Sequence, residues 1–210
     1  YNIRRGTEFE TSDTLKRTAV FYKIKTELEQ MPNIKGVALM SSLPGTGEGA
    51  SYFEIEGRAA LVYNENPESN NEVVARDSWS AIGMKVISGR SFNHSDIAST
   101  ENIIIINESI ARDLFPNGDA VGQRVRRVGE TRQGDWNTII GVISDTFHGS
   151  VMRTSSETYT SYFMLDNIGF SSIDIAIHYS GNKALAQKTL QQAINNVDGN
   201  VTAYHMQSYD

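Results

Sequence analysis

The sequence has 210 residues, with 19 Lys and Arg, 25 Asp and Glu and no Cys, and its formal net charge is −6. This length is that of one large or two small domains. The lack of cysteine excludes disulfides, thiolate metal sites and a thiol nucleophile. The acidic balance argues against nucleic-acid binding, which needs a basic surface. No apolar run, the isoleucine run 103–106 included, approaches the roughly 20 residues that cross a bilayer.

In the first half of the chain, residues 1–11 are polar and lack a period, so we predict an irregular lead-in. Apolar residues then recur three and four positions apart, which predicts an amphipathic helix over 13–30, and Pro32 ends it. Short runs of strand-forming residues predict strands over 34–40, 52–56, 72–76 and 84–87. Loops at 41–50 and 64–71 and a helical turn at 77–82 connect these strands.

In the second half, the run 103–106 is uninterrupted, which predicts a strand that is buried on both faces. A short helix over 108–115 follows, with Asn107 as its N-cap. A second amphipathic helix is predicted over 182–195. The other predicted strands are 123–128, 138–143, 159–165, 173–179 and 201–206. Strands outnumber helices, and we predict an α+β fold.

The sequence shows little sign of a reaction centre. The glycine loop 45–49 precedes a strand, whereas a phosphate cradle needs a helix N-terminus, so a hairpin loop is the favoured interpretation. No serine lies in a nucleophile elbow. His94, His148, His178 and His205 lack metal-ligand spacing. A loose cation site at His94 and Asp96, or at Asp145 and His148, stays an alternative to plain loop polarity. We therefore predict no catalytic, cofactor or metal residues.

A basic cluster is the strongest candidate for a contact surface. Arg124, Arg126 and Arg127 follow one another in a predicted strand, with Arg132 nearby. A solvated strand face is the favoured interpretation, because exposed charges are the rule. The alternative is contact with an acidic partner or with headgroups. Trp136 lies in a polar loop and is a candidate contact anchor.

Several short blocks of sequence are weak signals of a family one by one but are specific in their order. They are Met31–Val37 (MPNIKGV), Phe53–Arg58 (FEIEGR), Ser78–Met84 (SWSAIGM), Ser88–Phe92 (SGRSF), Asn107–Pro116 (NESIARDLFP), Ala120–Val125 (AVGQRV) and Ile139–Asp145 (IIGVISD). In this order, from about 12 to 207, the chain resembles the periplasmic core domain of the MacB/FtsX-like permeases of ABC transporters. Trp79 departs from the family, which commonly has Tyr-Phe there.

The resemblance implies two mixed α/β subdomains. A porter-like part is built from both chain ends, 1–76 and 158–210, and a small α/β-rich insertion covers 77–157. It also implies a bacterial inner-membrane protein with one transmembrane helix before Tyr1 and another after Asp210. Both ends of the domain should then lie on one side, facing the membrane, with the domain itself in the periplasm.

The implied function is mechanical. ATP binding in a cytoplasmic domain or subunit closes a dimer, and the extracytoplasmic domain transmits the movement to export a substrate or to act on a periplasmic adaptor or effector protein. The fragment itself would not be an enzyme and would need no cofactor. Implied partners are the flanking helices, the ATPase and a second permease copy. A periplasmic ligand-binding or sensor module is the alternative, and a hydrolase is a second one. Contact through Arg124, Arg126, Arg127 and Trp136 is the corresponding site prediction.

Overall fold

The computed structural model describes residues 2–5, 14–43, 50–118, 120–145, 159–168, 172–198 and 201–204. The predicted glycine loop 45–49, His148 and His205 lie outside these ranges. The helices are α1 (Thr14–Glu29), α2 (Glu108–Leu114) and α3 (Lys183–Val197). The strands are β1 (Asn2–Arg5), β2 (Ile34–Met40), β3 (Ala50–Ile55), β4 (Glu68–Val74), β5 (Val86–Gly89), β6 (Ile103–Asn107), β7 (Arg124–Val128), β8 (Asn137–Ile143), β9 (Thr160–Met164), β10 (Ser172–Tyr179) and β11 (Val201–Tyr204).

Six of these strands close into a ring. Going around it, β3 pairs with β4, β4 with β9, β9 with β6, β6 with β8, β8 with β7, and β7 with β3. The pairs β4–β9 and β6–β8 are parallel and the others are antiparallel. A closed ring leaves its members with no free edge along the paired stretches, which is one way a β-structure avoids edge-to-edge association.

The remaining strands, apart from β5, form a second part that we call the helix-covered layer. Its order is β11-β1-β10-β2, and all its neighbours are antiparallel. Helix α1 contacts β2 and α3, and α3 contacts β11. Phe21, Ile24 and Leu28 of α1 are at most 2% exposed and belong to one apolar core with Leu190 and Ile194 of α3. Burial of these side chains holds the helices on the layer.

The amphipathic helix predicted over 13–30 is present as α1, and its buried stripe includes Ile24 and Leu28. Ala19 is exposed and Tyr22 is half-buried, whereas Phe21 and Lys25 are buried. The polar Lys25 enters the buried stripe because its ammonium group pairs with Glu29 one turn later. Within the described ranges, none of the helices combines the length and the apolar content that a bilayer crossing needs.

Strand β6 is buried on both faces, as its uninterrupted apolar run predicts. Ile104 and Ile106 share the core that contains the helices, whereas Ile103 and Ile105 belong to a second cluster with Trp79. Trp79 packs edge-to-face on Tyr162 of β9 with 4.9 Å between the ring centroids. The segment around Trp79, which precedes β6 in the chain, therefore covers the face of the ring that carries Ile103, Ile105 and Tyr162.

Two expectations for the first half of the chain are wrong. The predicted lead-in contains β1, which hydrogen-bonds to β10 on one edge and to β11 on the other. The predicted loop 64–71 contains the start of β4. Its polar residues stay in a strand because they find partners there: Ser69 hydrogen-bonds to Ser161 at 2.9 Å and Asn71 donates to Ser51 at 2.7 Å. Backbone pairing on both edges outweighs an unfavourable side-chain pattern.

The sequence blocks that carry the resemblance meet in space. Gly89 lies at φ 68° against the backbone of Ile140, and Gly141 lies against the carbonyl of Arg90. Asn107 caps α2 by accepting from the Ile110 N–H group, as predicted, and it donates to Asp145 at 2.6 Å. These motif residues shape the backbone and satisfy its hydrogen bonds.

The strand pairing crosses the predicted subdomain boundary. Strands β3 and β4 belong to the predicted porter-like part, yet they share the ring with β6, β7 and β8 of the predicted insertion. The division into 1–76 with 158–210 and 77–157 therefore stays a prediction.

Candidate functional site

The structure brings together three of the four predicted contact residues. The Arg126 guanidinium lies 4.4 Å from the centroid of the Trp136 ring, and that of Arg124 lies 5.8 Å from it. Both distances are within the range of a cation–π contact. Trp136 is half-buried under this cover, so part of the ring is withheld from a partner.

This face is electrically balanced. Glu54 and Arg126 are register partners on β3 and β7, and their side chains pair at 2.7 Å. Arg124 pairs with Glu56 at 2.8 Å. The two basic side chains therefore meet two carboxylates on the neighbouring strand. The pair of Arg124 with Glu56 is exposed, and such pairs contribute roughly 0–1 kcal/mol, whereas the side chains of Arg126 and Glu54 are only 20% and 14% exposed. This face therefore does not present a net positive charge to an acidic partner.

Arg127 points to the other face of β7. Its guanidinium lies 5.1 Å from the centroid of the Phe163 ring. Successive side chains alternate across a strand, so Arg127 cannot share a face with Arg126. The predicted partner contact through Arg124, Arg126, Arg127 and Trp136 remains a prediction, and it now requires two different faces.

The two ends of the described chain lie side by side. In the antiparallel pairing of β1 and β11, Asn2 is opposite Tyr204 and Arg5 is opposite Val201. Directly paired residues of this kind have Cα atoms about 5 Å apart. Residues 2 and 204, the ends of the described chain, therefore lie on one side of the domain, as expected, and the orientation of this side toward the membrane stays a prediction.

A narrow joint connects the helix-covered layer to the ring. Strands β2 and β4 have a single residue pair in register, Met40 and Val74. Two backbone hydrogen bonds flank it: Ser41 N–H donates to Val73 at 2.8 Å, and Ala75 N–H donates to Leu39 at 2.9 Å. We call this place the joint.

A carboxylate fastens the joint. Glu72 of β4 is 4% exposed and accepts hydrogen bonds from the hydroxyls of Ser41 at 2.7 Å and Ser42 at 2.6 Å. Burial raises the pKa of Glu72, which these hydrogen bonds and the backbone of Ser42 partly offset, and the carboxylate of Asp174 raises it further.

A second polar cluster ties α1 to the ring. The Tyr22 hydroxyl donates to Asp166 at 2.7 Å and accepts from the Arg76 N–H group at 3.1 Å. The Arg76 guanidinium makes two hydrogen bonds to Asp166, at 3.1 and 3.2 Å, and lies 4.6 Å from the Tyr22 ring centroid. Burial and the hydrogen bond to Asp166 raise the pKa of Tyr22 above its ordinary value. We call these three residues the tyrosine cluster.

An open groove of about 620 Å³ runs over the tyrosine cluster. Successive turns of α1 line one side of it, and Ile97 and the end of α3 line the rest. The polar groups on its floor bind one another, and Arg76 also contacts His94 at 3.1 Å. The groove is open to solvent, unlike the closed cavity that a ligand-binding module predicts.

Thr18 is an exception in this groove. Its hydroxyl is buried, and no hydrogen-bond partner for it is found among the described residues. Replacing Thr18 with valine keeps the shape and removes an unpaired polar group. We expect Thr18→Val to raise the free energy of unfolding by about 1 kcal/mol in urea titrations. Thr26→Val on the same helix is the control, since exposed Thr26 should change it by less than about 0.5 kcal/mol. Equal effects of the two variants would contradict the interpretation that the buried Thr18 hydroxyl destabilises the fold.

Asp96 does not form the cation site that the sequence left open as an alternative. Arg90 binds both oxygens of Asp96 at 2.8 and 2.7 Å, and this pairing lowers the pKa of Asp96. Asp96 also accepts from the Asn93 N–H group. Asp145 is likewise engaged, with Asn107 and Ser109 at the start of α2. Across the described part of the chain, no group of three acidic or histidine side chains could hold a metal ion.

Sequence reasoning missed the tyrosine cluster and Glu72. Asp166 is 144 residues from Tyr22 and 90 from Arg76, so no spacing signals their contact. A weak signal existed for Glu72, because a carboxylate directly before two valines in a strand pattern needs a special partner when it is buried.

Residues 2–197 match the sequence family described as MacB-like periplasmic core domain. Over 112 residues, 52% of this chain, the sequence is 31% identical to the macrolide export ATP-binding/permease protein MacB of Chromobacterium violaceum. The chain spans 17% of the length of that relative, and 21% of an uncharacterized ABC transporter permease of Bacillus subtilis, YvrN, to which it is 27% identical over 99 residues.

The fold is similar to solved structures of transporter domains. The periplasmic region of MacB from Actinobacillus actinomycetemcomitans superposes with a TM-score of 0.54 at 16% identity, covering 96% of this chain and 86% of that one. The extracellular domain of the noncanonic ABC-type transporter YknZ from Gram-positive bacteria gives 0.54 at 12% identity, with 97% and 98% covered. The predicted α+β class is confirmed.

Proposed function

Since the chain belongs to the family of MacB-like periplasmic core domains, we propose that it transmits ATP-driven movement of an ABC transporter permease to the periplasm. The movement serves to export a substrate or to act on a periplasmic adaptor or effector protein. The ATP would be hydrolysed in a cytoplasmic domain or subunit, as the name of the Chromobacterium relative suggests. The permease would work as a homodimer, with transmembrane helices at both ends of the domain.

The pairing of β1 with β11 is the observation that carries the proposal. Asn2 and Tyr204 are opposite each other, so two flanking helices would leave the domain as neighbours. A movement of those helices then reaches one small region of the helix-covered layer. The layer is hydrogen-bonded to the ring at the joint and tied to it again through the tyrosine cluster. Such a body carries displacement over a distance without a reaction centre.

A ligand-binding or sensor module remains the alternative proposal. The groove beside α1 is where a small molecule would be sought, and the unpaired Thr18 hydroxyl is the feature that favours it. A ligand there should stabilise the folded chain by mass action. The rest of the groove floor is already satisfied internally, which favours the mechanical proposal.

The test uses spin labels attached to introduced cysteines; these 210 residues contain no cysteine, and any cysteine elsewhere in the full-length protein is first replaced by serine. Single cysteines replace exposed Glu101, next to the ring, and exposed Lys188, on α3. In the full-length protein in lipid, we expect ATP to change the label-to-label distance between two copies. Within one copy, the distance from 101 to 188 should stay constant, because the domain moves as one body. Pulsed electron paramagnetic resonance measures both distances.

Two results would contradict the mechanical proposal. One is an inter-copy distance that is the same with ATP, without nucleotide and with a non-hydrolysable analogue. The other is a change of the 101–188 distance caused by a small molecule in the absence of nucleotide, which would support the sensor alternative.

A further inference from the structure

The joint is the thinnest connection within the continuous sheet. One register pair and its two flanking backbone hydrogen bonds join β2 to β4, whereas β2 and β10 are in register over six residue pairs. A change in the side chains that bridge the joint therefore affects a connection with few backbone hydrogen bonds of its own.

Glu72 bridges the joint as a buried carboxylate that is held by hydroxyl groups. Its side chain is buried and is held by two serine hydroxyls from the end of β2. Ser41 also accepts from the Val73 N–H group at 2.8 Å. No basic side chain forms an ion pair with Glu72 among the residues that the structure describes. Buried carboxylates are usually paired with a cation, because hydroxyls alone compensate poorly for lost hydration.

The charged group that interacts with Glu72, the side chain of Asp174, is also acidic. Asp174 of β10 interacts electrostatically with Glu72 and accepts from the Leu43 N–H group at 3.1 Å. On β9, the register partner of Glu72 is the uncharged Tyr162, and β2 presents the Ser41 and Ser42 hydroxyls. The negative charge of Asp174 adds to the effect of burial, and both disfavour the ionised form of Glu72.

We propose that Glu72 is a proton-operated latch: as the pH falls its carboxyl gains a proton, and the neutral form fastens the helix-covered layer to the ring more tightly than the carboxylate does. The neutral carboxyl no longer repels Asp174 and costs less to bury. It keeps an oxygen that accepts from a serine hydroxyl and gains an O–H donor. The latch is a property of this domain itself and goes beyond the transmission of movement.

The direction of the pH effect follows from linkage. Burial raises the pKa of Glu72 in the folded chain above its ordinary value of 4.5. A group with a raised folded-state pKa contributes its full stability below the unfolded value, and this contribution is lost as the pH rises through the folded value. As far as Glu72 is concerned, the folded chain should therefore be more stable below the ordinary pKa of this carboxyl than above its raised folded-state pKa, and the latch places this gain at the joint.

The first test compares Glu72→Gln with wild type between pH 4 and pH 8. Glutamine has the same shape and stays neutral. We expect the unfolding constant of wild type, relative to that of Glu72→Gln, to rise by up to about tenfold per pH unit between the two pKa values. Glu68→Gln, at an exposed position on the same strand, should give a pH profile parallel to wild type. Parallel profiles for Glu72→Gln and wild type would overturn the latch.

The second test uses the wild-type chain and does not depend on whether the variant folds. Carboxyl carbon resonances of Glu72, followed by NMR, should titrate with a midpoint above 4.5. Hydrogen exchange of the Ser41 amide, corrected for its intrinsic pH dependence, should slow as the pH falls. The Gly122 amide, which donates to Ile139 within the ring, serves as the reference. A Glu72 midpoint at or below 4.5, or equal changes at Ser41 and Gly122, would overturn the latch.

Discussion

Replacing Gly141 with alanine is expected to cost at least about 3 kcal/mol of folding free energy and to reduce the yield of soluble protein sharply. A Cβ atom at this position would stand 2.2 Å from the Arg90 carbonyl oxygen and 3.1 Å from its carbon. Both neighbours are backbone atoms of the segment that pairs with β8, so no rotamer change relieves the clash. The expected result is a strand pair that separates or a chain that does not fold.

Gly118→Ala is the matched control for this prediction. Gly118 has φ 86°, and no atom of the residues that the structure describes lies within 4 Å of the position its Cβ would take. Its cost is therefore the conformational one alone, about 1–2 kcal/mol. Thermal unfolding followed by circular dichroism compares the two variants. If Gly141→Ala were as mild as Gly118→Ala, the close approach between β5 and β8 would not be a requirement of the fold.

Replacing Asp166 with alanine should also destabilise strongly, by about 3 kcal/mol. Asp166 and Arg76 have side chains that are only 7% and 17% exposed, and Asp166 receives hydrogen bonds from both Arg76 and Tyr22. Removing the carboxylate leaves a largely buried guanidinium and phenol without their acceptor. For a chain of this size, we expect the midpoint of thermal unfolding to fall by about 6–12 °C.

The control for Asp166→Ala is an exposed ion pair in the same molecule. Glu56 and Arg124 have side chains 44% and 43% exposed, so Glu56→Gln should change the free energy of unfolding by less than about 1 kcal/mol. Urea titrations of both variants test the contrast. Similar costs for the two would mean that water screens the tyrosine cluster as fully as it screens a surface pair, and the cluster would then not tie α1 to the ring.

The joint and the tyrosine cluster are two separate connections between the helix-covered layer and the ring. Weakening one leaves the other in place. In the full-length protein, Asp166→Ala and Glu72→Gln therefore offer two independent ways to change the stiffness of the domain without altering its paired ends.

Local patterns in the sequence determined several features. The uninterrupted run of β6 indicated a strand buried on both faces, and Asn107 indicated the start of α2. The order of the motif blocks also indicated the family. These features depend on residues a few positions apart, where side-chain period and capping hydrogen bonds follow directly from backbone geometry.

Only the tertiary structure decided the electrostatic surroundings. In the sequence, Arg124, Arg126 and Arg127 form one basic cluster. In the fold, two of them meet Glu54 and Glu56 across a strand pair, while Arg127 lies on the other face. Likewise, the sequence does not distinguish Glu72 from other acidic residues. Its environment depends on the serines that follow β2 and on Asp174 of β10. Charge balance and burial depend on strand register between distant segments, and the pairing energy of a register is spread over backbone groups that are the same at every position.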